Sequence, residues 1–179
     1  NQGLAATIRT GLTAALQHCE GQPDAVIVTM DADDTHPPEI IETMLKRMRD
    51  GADMVIASRY AEGGEVFGLS QLRKVLSGVA SIVFRMLAPM PGVRDYTCGY
   101  RAYRAGMLQQ VWARSSQDLD ADSGFACQVQ LLLNCSRLRP RIEEVPLTLR
   151  YDRKAGASKM RILRTIRLTL KVLIRHLLG

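Results

Sequence analysis

The sequence predicts an α/β fold in which a mostly parallel sheet is flanked by helices. Residues 25–30 and 54–57 are short apolar runs, typical of strands that are buried on both faces of a parallel sheet. Helical patterns precede and follow each run, so helices and strands alternate along the chain. With 179 residues, 46% of them apolar, the chain has enough material for one hydrophobic core.

The first helix is predicted over residues 2–16, where leucine or isoleucine recurs at every fourth position. After the strand at 25–30, Thr35 is suited to cap a second helix whose first turn contains Pro37 and Pro38. The predicted buried face of that helix consists of Ile40, Ile41, Met44, Leu45 and Met48.

The middle of the chain is predicted to contain a loop over residues 58–68, with a Gly-Gly pair, and then a long helix over 70–87. The apolar side of that helix is expected to face the core, and it consists of Leu72, Val75, Leu76, Val79, Val83 and Leu87. The remaining elements are a loop and strand over 94–104, helices over 105–113 and 123–134, and a strand over 141–149. Pro146 marks this last strand as an edge or bulged one.

The last twenty residues form the pattern of a basic amphipathic helix. One arc consists of Arg161, Arg164, Arg167, Lys171 and Arg175. The opposite arc consists of Ile162, Leu163, Ile166, Leu170, Leu173, Ile174 and Leu177. Two interpretations stay open. The helix either packs on the core with a solvated basic face, or lies at an anionic membrane surface, where each basic residue adds about 1 kcal/mol.

Composition restricts the class of partner. The net charge of +6 and the pI of about 9.4 favour an anionic partner, either phosphate groups, a membrane surface or nucleic acid. We expect no nucleic acid, because the aromatic residues are too few and scattered to stack on bases. The four cysteines form no C-x-x-C pair and have no histidines at zinc spacing, so they are expected to be free thiols. No apolar run is long enough to span a bilayer.

Asp31 and Asp33 follow the first apolar run directly, at the carboxyl end of a predicted strand. Two carboxylates this close repel each other unless a cation or water screens them. Carboxylate oxygens are the ligands that magnesium and manganese prefer, and open parallel sheets bind ligands at this end of their strands. A divalent metal site is therefore one interpretation. The other is that the aspartates cap the following helix or form a solvated turn.

Seven motifs, in order, resemble a known family. They are N-x-G at 1–3, MDADDTHPPE at 30–39, IASRY at 56–60 with Gly63-Gly64, LRKVLS at 72–77, DYTCGYRAYR at 95–104, EEVPLTL at 143–149 and RKAGASK at 153–159. Together they resemble the inverting family 2 glycosyltransferases of GT-A fold, above all the polyprenyl-phosphate mannose synthases. The resemblance implies a Rossmann-like GT-A domain over 1–158 that lacks its first strands, with 159–179 as a membrane-interface helix. Since those first strands hold the base and ribose in the family, the chain alone is expected to be inactive.

The implied activity is the inverting, metal-dependent transfer of a hexose such as mannose from a nucleotide-sugar donor to a polyprenyl phosphate. The implied location is the cytoplasmic face of a membrane, either peripheral or anchored by segments outside this chain. Asp31 and Asp33 would bind Mg²⁺ or Mn²⁺ and the donor diphosphate. The family often has glutamine at the position of Thr35, so water or the Thr35 oxygen is expected as the third ligand.

An acceptor phosphate is already an anion, so it needs capture more than deprotonation. The residues that the resemblance assigns to it are Arg59, Arg73, Ser77, Arg153 and Lys159. Asp95 matches a family aspartate near the sugar and acceptor, where it would orient the donor sugar or assist the attack. Its structural alternative is an ion pair with Arg94 or Arg101.

Two other functions stay open. One is transfer to a sugar hydroxyl in glycan synthesis, and the other is a non-catalytic domain that binds nucleotide or membrane. Neither His36 nor the other two histidines lie in a ligand or triad pattern, so they are expected to serve in packing or capping.

Overall fold

The computed structural model describes residues 3–115, 119, 124–153 and 162–178, and for 72–74, 153, 162 and 163 it describes the backbone only. The chain forms two compact units. One consists of Asn1–Ile27, Tyr103–Pro140 and Lys159–Gly179, and the other of Val28–Ala102 and Arg141–Ser158. We call them the helical unit and the sheet unit.

The described residues form six α-helices and six strands. In chain order they are α1 (Leu4–His18), β1 (Val26–Thr29), α2 (Ile40–Arg49), β2 (Met54–Ser58), β3 (Glu65–Phe67), α3 (Gln71–Leu87), β4 (Arg101–Arg104), α4 (Ala105–Ser115), α5 (Ala126–Ser136), β5 (Ile142–Pro146), β6 (Thr148–Arg150) and α6 (Ile162–Leu178). A short 3-10 helix, Tyr151–Arg153, follows β6. The predicted α/β class and the alternation of elements are confirmed.

The main sheet has the strand order β1-β4-β2-β5. Strands β2 and β5 are parallel, with Met54 opposite Ile142 and Ser58 opposite Pro146. Strand β4 runs antiparallel to β1, because the Ala105 N–H donates to the Ala25 carbonyl at one end and the Thr29 hydroxyl donates to the Gly99 carbonyl at the other. The sheet is therefore mixed. Every residue of β2 is buried, as its continuous apolar sequence predicts.

The predicted strand over 141–149 is two strands. β5 ends at Pro146, which has no N–H to continue the ladder, and it lies at the edge of the main sheet as predicted. Leu147 donates its N–H to the Ser58 carbonyl. The chain then pairs as β6 with β3 in a separate parallel two-stranded sheet. The predicted loop over 58–68 thus contains a strand, which is only three residues long and directly follows the Gly-Gly pair.

The prediction that Thr35 caps α2 is wrong. The helix begins at Ile40, with Glu39 at the capping position and no side-chain capping bond. Pro37 and Pro38 form a turn before it, in which their carbonyls accept the N–H groups of Ile40 and Ile41. The Thr35 hydroxyl instead donates to Asp33. The predicted buried face of α2 is confirmed, with Met44 and Met48 fully enclosed.

The predicted buried face of α3 is wrong for Val75, Val79 and Leu87, which are exposed. Leu76 and Val83 of that face are half-buried, and the side chain of Leu72 lies outside the described residues. Val75 and Val79 are 61% and 52% exposed, and the helix instead buries Ser81 and Phe84. These two residues are buried because the segment after α3 folds back over them. Ser81 donates its hydroxyl to the Arg94 carbonyl, and Phe84 stacks on Tyr96 with ring centroids 5.3 Å apart. The resulting apolar stripe exposed on α3 consists of Val75, Val79, Ile82 and Met86.

In the helical unit, α6 packs against α5 and buries Val172 and Leu173. Its exposed surface has two adjacent stripes. The apolar stripe consists of Ile166, Leu170, Ile174 and Leu177. The basic stripe consists of Arg164, Arg167, Lys171 and Arg175. Within the described residues, no helix is both long and apolar enough to cross a bilayer. The four cysteines are free thiols, as predicted.

Candidate functional site

The carboxyl ends of β1 and β2 lie at the same end of the main sheet, on either side of β4. The Thr29 hydroxyl, at the end of β1, donates to the Gly99 carbonyl at 2.8 Å, and the Ala57 N–H, near the end of β2, donates to the Tyr100 carbonyl at 3.0 Å. The segment that leads into β4 therefore passes both strand ends. Three segments with predicted site residues converge at this end of the sheet. They are the turn after β1, Arg59 after β2 and the loop around Asp95.

The turn after β1, residues 31–36, presents two half-buried carboxylates, Asp31 and Asp33. One oxygen of Asp33 accepts hydrogen bonds from the Thr35 hydroxyl at 2.6 Å and from the Thr35 N–H at 3.3 Å. Thr35 is buried, and it thus fixes the orientation of the Asp33 carboxylate. Asp34 has a φ of 61°, a left-handed conformation that Asp and Asn adopt more readily than most residues.

His36 supports this turn from below. Its Nδ1 accepts the Asp31 N–H at 3.0 Å, and its ring stacks on Tyr100 with centroids 5.0 Å apart. Tyr100 in turn donates its hydroxyl to the Pro37 carbonyl at 3.0 Å. Burial lowers the pKa of His36, although the charges of Asp31 and Asp33 act to raise it. A neutral ring is what an acceptor Nδ1 requires.

The field around His36 shows which charges surround the turn. Besides Asp31 and Asp33, the charges of Arg59 and Asp95 also act on the pKa of this ring. All four groups belong to the sheet unit. The acidic turn and Arg59 therefore lie on the same side of that unit, which the metal-and-phosphate interpretation requires.

Asp95 is fully buried and paired with Arg59, not with Arg94 or Arg101, the partners named in the structural alternative for this residue. Arg59 donates from Nε and Nη2 to the two carboxylate oxygens, each at 2.7 Å, a bidentate geometry. The backbone N–H groups of Arg59, Thr97 and Cys98 also donate to this carboxylate. Burial would raise the pKa of Asp95, but the charge and hydrogen bonds of Arg59 hold it below its usual value.

A second carboxylate holds this loop in place. Glu144 on β5 accepts the N–H groups of Arg94 and Asp95 on one oxygen, at 2.6 and 2.7 Å. Two consecutive backbone donors are thereby satisfied by one side chain, and the Asp95 backbone is anchored to the sheet.

Burial raises the pKa of the neighbouring Cys98 to about 12, so this thiol stays protonated at neutral pH and is not a nucleophile.

The helix α3 contributes Ser77, whose Oγ lies 2.8 Å from the hydroxyl of Tyr60. Tyr60 is the neighbour of Arg59, and the guanidinium carbon of Arg59 lies 5.3 Å from the Tyr60 ring centroid. The structure thus connects Ser77 to the Arg59–Asp95 pair through Tyr60. Sequence reasoning did not single out Tyr60, Glu144 or His36 as site residues. The only signal was that each lies inside a motif with family resemblance.

For three of the predicted phosphate ligands, the structure does not describe the side chain. The side chains of Arg73 and Arg153 lie outside the described residues, as does the whole of Lys159. The backbone of Arg73 is one turn before Ser77 on α3. The backbone of Arg153 ends the 3-10 helix after β6, and the Arg150 N–H at the end of β6 donates to the Thr35 carbonyl at 3.2 Å. Both backbones therefore belong to segments that contact the site.

The donor set of the acidic turn fits a hard divalent cation. Asp31 and Asp33 offer carboxylate oxygens, and both side chains are partly exposed. Across the described part of the chain, no group of three or more His, Cys, Asp or Glu is placed to hold a metal ion alone. Such a two-carboxylate site is of the kind that phosphate oxygens and water complete.

Comparison with known proteins matches residues 1–112 to the family described as Glycosyl transferase family 2. An undecaprenyl-phosphate mannosyltransferase from Micrococcus luteus is 39% identical over 75% of this chain and 53% of its own length. A polyprenol monophosphomannose synthase from Mycolicibacterium smegmatis is 38% identical over 76% of this chain and 49% of its own. A dolichol-phosphate mannosyltransferase from Pyrococcus furiosus is 31% identical over 76% and 36%. The chain thus spans about half the length, or less, of these relatives.

Proposed function

Because this chain belongs to glycosyl transferase family 2, we propose that it carries the catalytic region of an enzyme that transfers mannose from a nucleotide sugar to a polyprenyl phosphate. The names of these relatives describe mannosyltransferases of undecaprenyl phosphate and dolichol phosphate and a polyprenol monophosphomannose synthase. They align with about three quarters of this chain. One structural observation carries the proposal. A pair of half-buried carboxylates and an arginine that is oriented by a buried aspartate lie at the same end of the sheet.

Asp31 and Asp33 act on the donor side. They would hold Mg²⁺ or Mn²⁺, which when bound neutralises the charge that develops on the departing diphosphate. The Thr35 hydroxyl orients one oxygen of Asp33, and His36 holds the backbone of Asp31. Thr35 therefore serves the site by positioning Asp33, and water remains the expected third ligand.

Arg59 and Ser77 act on the acceptor side, together with Arg73, Arg153 and Lys159 as the sequence predicts. The acceptor phosphate is an anion at neutral pH, so the site needs cations and hydroxyl donors more than a base. Asp95 suits this scheme as the residue that orients Arg59. Its carboxylate is buried, ion-paired and held at a low pKa, which makes it a poor general base. The same geometry disfavours the alternative acceptor, a sugar hydroxyl, which needs such a base.

The lipid substrate requires a membrane surface, and α6 has the character of an interfacial helix. Its buried face packs on α5, while an apolar stripe and a basic stripe lie side by side on its exposed surface. The packing of its buried face on α5 agrees with the core interpretation, and the two exposed stripes support the membrane interpretation that we propose. The apolar stripe exposed on α3 is a second surface suited to lipid contact.

The membrane part of the proposal is tested by binding of the chain to vesicles that contain anionic lipid. Exchanging Lys171 and Arg175 for glutamate should weaken binding by more than about 10-fold, since each basic residue contributes about 1 kcal/mol. A control with the same change of charge exchanges the exposed Arg9 and Arg49. Equal weakening in both variants would indicate only a general charge effect.

The activity is tested with the intact protein in liposomes that contain a polyprenyl phosphate, with Mn²⁺ and a panel of nucleotide sugars. We expect transfer from a nucleotide-activated mannose to the lipid phosphate, and loss of transfer on addition of a chelator. Transfer to a sugar hydroxyl without lipid phosphate would favour the glycan-synthesis alternative. Binding of donor or vesicles without any transfer would favour a non-catalytic domain.

A further inference from the structure

Tyr60 lies between Arg59 and Ser77, the two described side chains that the proposed function assigns to the acceptor phosphate. Its hydroxyl oxygen is 2.8 Å from Ser77 Oγ, and its ring faces the Arg59 guanidinium at 5.3 Å. Its backbone is held on both sides, because its N–H donates to the Ser58 hydroxyl at 3.1 Å and its carbonyl accepts from Arg94 Nη1 at 3.4 Å. The phenol thus has a fixed position.

The direction of the hydroxyl–hydroxyl bond follows from acidity. A phenol is far more acidic than an aliphatic alcohol and is the better donor. Acidity therefore favours Tyr60 as the donor and Ser77 as the acceptor, in a bond whose geometry allows either direction. Ser77 keeps its own O–H, and accepting one hydrogen bond strengthens the bond that this O–H donates.

Without Tyr60, Ser77 would have a different preference. Serine in the interior of a helix tends to turn its hydroxyl back to the carbonyl four residues earlier. In α3 that carbonyl belongs to Arg73. The bond from Tyr60 holds the Ser77 oxygen at the tyrosine whose ring faces Arg59, which leaves the serine proton available to an anion bound there.

We propose that Tyr60 is a positioning residue for the acceptor phosphate: its hydroxyl donates to Ser77 and directs the serine O–H to a phosphate oxygen beside Arg59. This inference rests on the proposed function. It adds that the phosphate site contains a hydroxyl pair, and that the tyrosine acts through the serine.

A double-mutant cycle tests this with Tyr60→Phe, Ser77→Ala and the double variant of the intact protein, assayed with undecaprenyl phosphate. Tyr60→Phe removes the hydroxyl and keeps the ring that faces Arg59. We expect the KM for undecaprenyl phosphate to rise about 3- to 10-fold, as for one lost hydrogen bond. The KM for the nucleotide sugar should not change. The double variant should match Ser77→Ala alone, because the tyrosine acts through the serine.

Tyr96→Phe is the matched control, since it removes a buried hydroxyl that donates to the Ala88 carbonyl. It should lower the melting temperature and leave the acceptor KM unchanged. If Ser77→Ala raises the acceptor KM and Tyr60→Phe does not, or if their effects multiply, this inference is wrong and the proposed function stands. If Ser77→Ala has no effect on the acceptor KM, the acceptor site of the proposed function itself is wrong.

Discussion

The acidic turn and the Arg59–Asp95 pair lie at the same end of the sheet, yet their carboxylates are in opposite environments. Asp31 and Asp33 are half-buried and separated by one residue in the acidic turn, and a cation would offset the repulsion expected between two such carboxylates. Asp95 is fully buried, and both of its carboxylate oxygens accept hydrogen bonds from one arginine. The comparison teaches that the environment, more than the residue type, separates the carboxylates that we propose to bind a metal from one that orients a neighbouring arginine.

The largest effect is expected for Asp95→Asn. The substitution leaves the Arg59 charge buried and unpaired, a change that typically costs about 3–5 kcal/mol of unfolding free energy. Transfer activity should be lost with it. Chemical denaturation measures the stability. Asp24→Asn is the matched control, since its pair with Arg104 is exposed, and it should leave stability unchanged.

The same pair predicts a pH dependence. Because Arg59 holds the pKa of Asp95 below its usual value, the ionised carboxylate stabilises the fold above its unfolded-state pKa of about 3.9. That stabilisation is lost as the pH falls below this value and through the folded-state pKa. Asp95→Asn should therefore flatten the stability profile between about pH 5 and 3. An equally steep profile in the variant would show that other groups cause it.

Asp33→Asn is expected to separate activity from stability. Loss of one metal ligand should reduce transfer by about 100- to 1,000-fold, in the range for removing one electrostatic contact to the transition state. The unfolding free energy should stay the same or rise slightly, because a repulsive charge is removed while the amide oxygen still accepts from Thr35. A large drop in stability would mean that Asp33 is structural, like Asp95.

His36→Ala should have an intermediate effect on the acidic turn. It removes the acceptor of the Asp31 N–H and the stacking partner of Tyr100. The free energy of unfolding should therefore fall by about 1–3 kcal/mol. His36→Asn is the informative partner variant, since its side-chain oxygen can still accept from the Asp31 N–H. If Asn restores donor affinity in the intact protein, the hydrogen bond matters more than the ring.

The smallest effect is expected for Glu144→Gln. Its amide oxygen can still accept the N–H groups of Arg94 and Asp95, so stability should fall by less than about 1 kcal/mol. Glu144→Ala, which leaves both donors without this acceptor, should be clearly more destabilising in the same denaturation assay. Equal losses in the two variants would indicate that the charge of Glu144, rather than its hydrogen bonds, holds the loop.

The sequence predicted most elements that bury a continuous apolar pattern. The strand β2 and the face of α2 around Met44 follow directly from such patterns, because no other arrangement hides those side chains. The prediction failed for α3, where Val75 and Val79 are as apolar as the residues that are buried. The chain that returns over Phe84 decides which face is covered, and periodicity carries no information about it.

Sequence reasoning named several residues of the candidate site and missed others, and it revealed none of the contacts between them. The spacing of Asp31 and Asp33 indicated a cation site, and the family resemblance added Arg59, Ser77 and Asp95. The pairing of Arg59 with Asp95 joins residues 36 positions apart, so no local pattern reveals it. His36 was missed because its role depends on a stacked Tyr100 and on one backbone N–H, which are both features of the folded state.

The most direct test of the central contrast is Mn²⁺ binding to the intact protein with a nucleoside diphosphate, followed by electron paramagnetic resonance. We predict a bound Mn²⁺ signal in the unmodified protein and in Asp34→Asn, where the left-handed conformation also tolerates asparagine. The signal should be lost in the Asp31→Asn, Asp33→Asn double variant at unchanged melting temperature. Undiminished Mn²⁺ binding in that double variant would contradict the account.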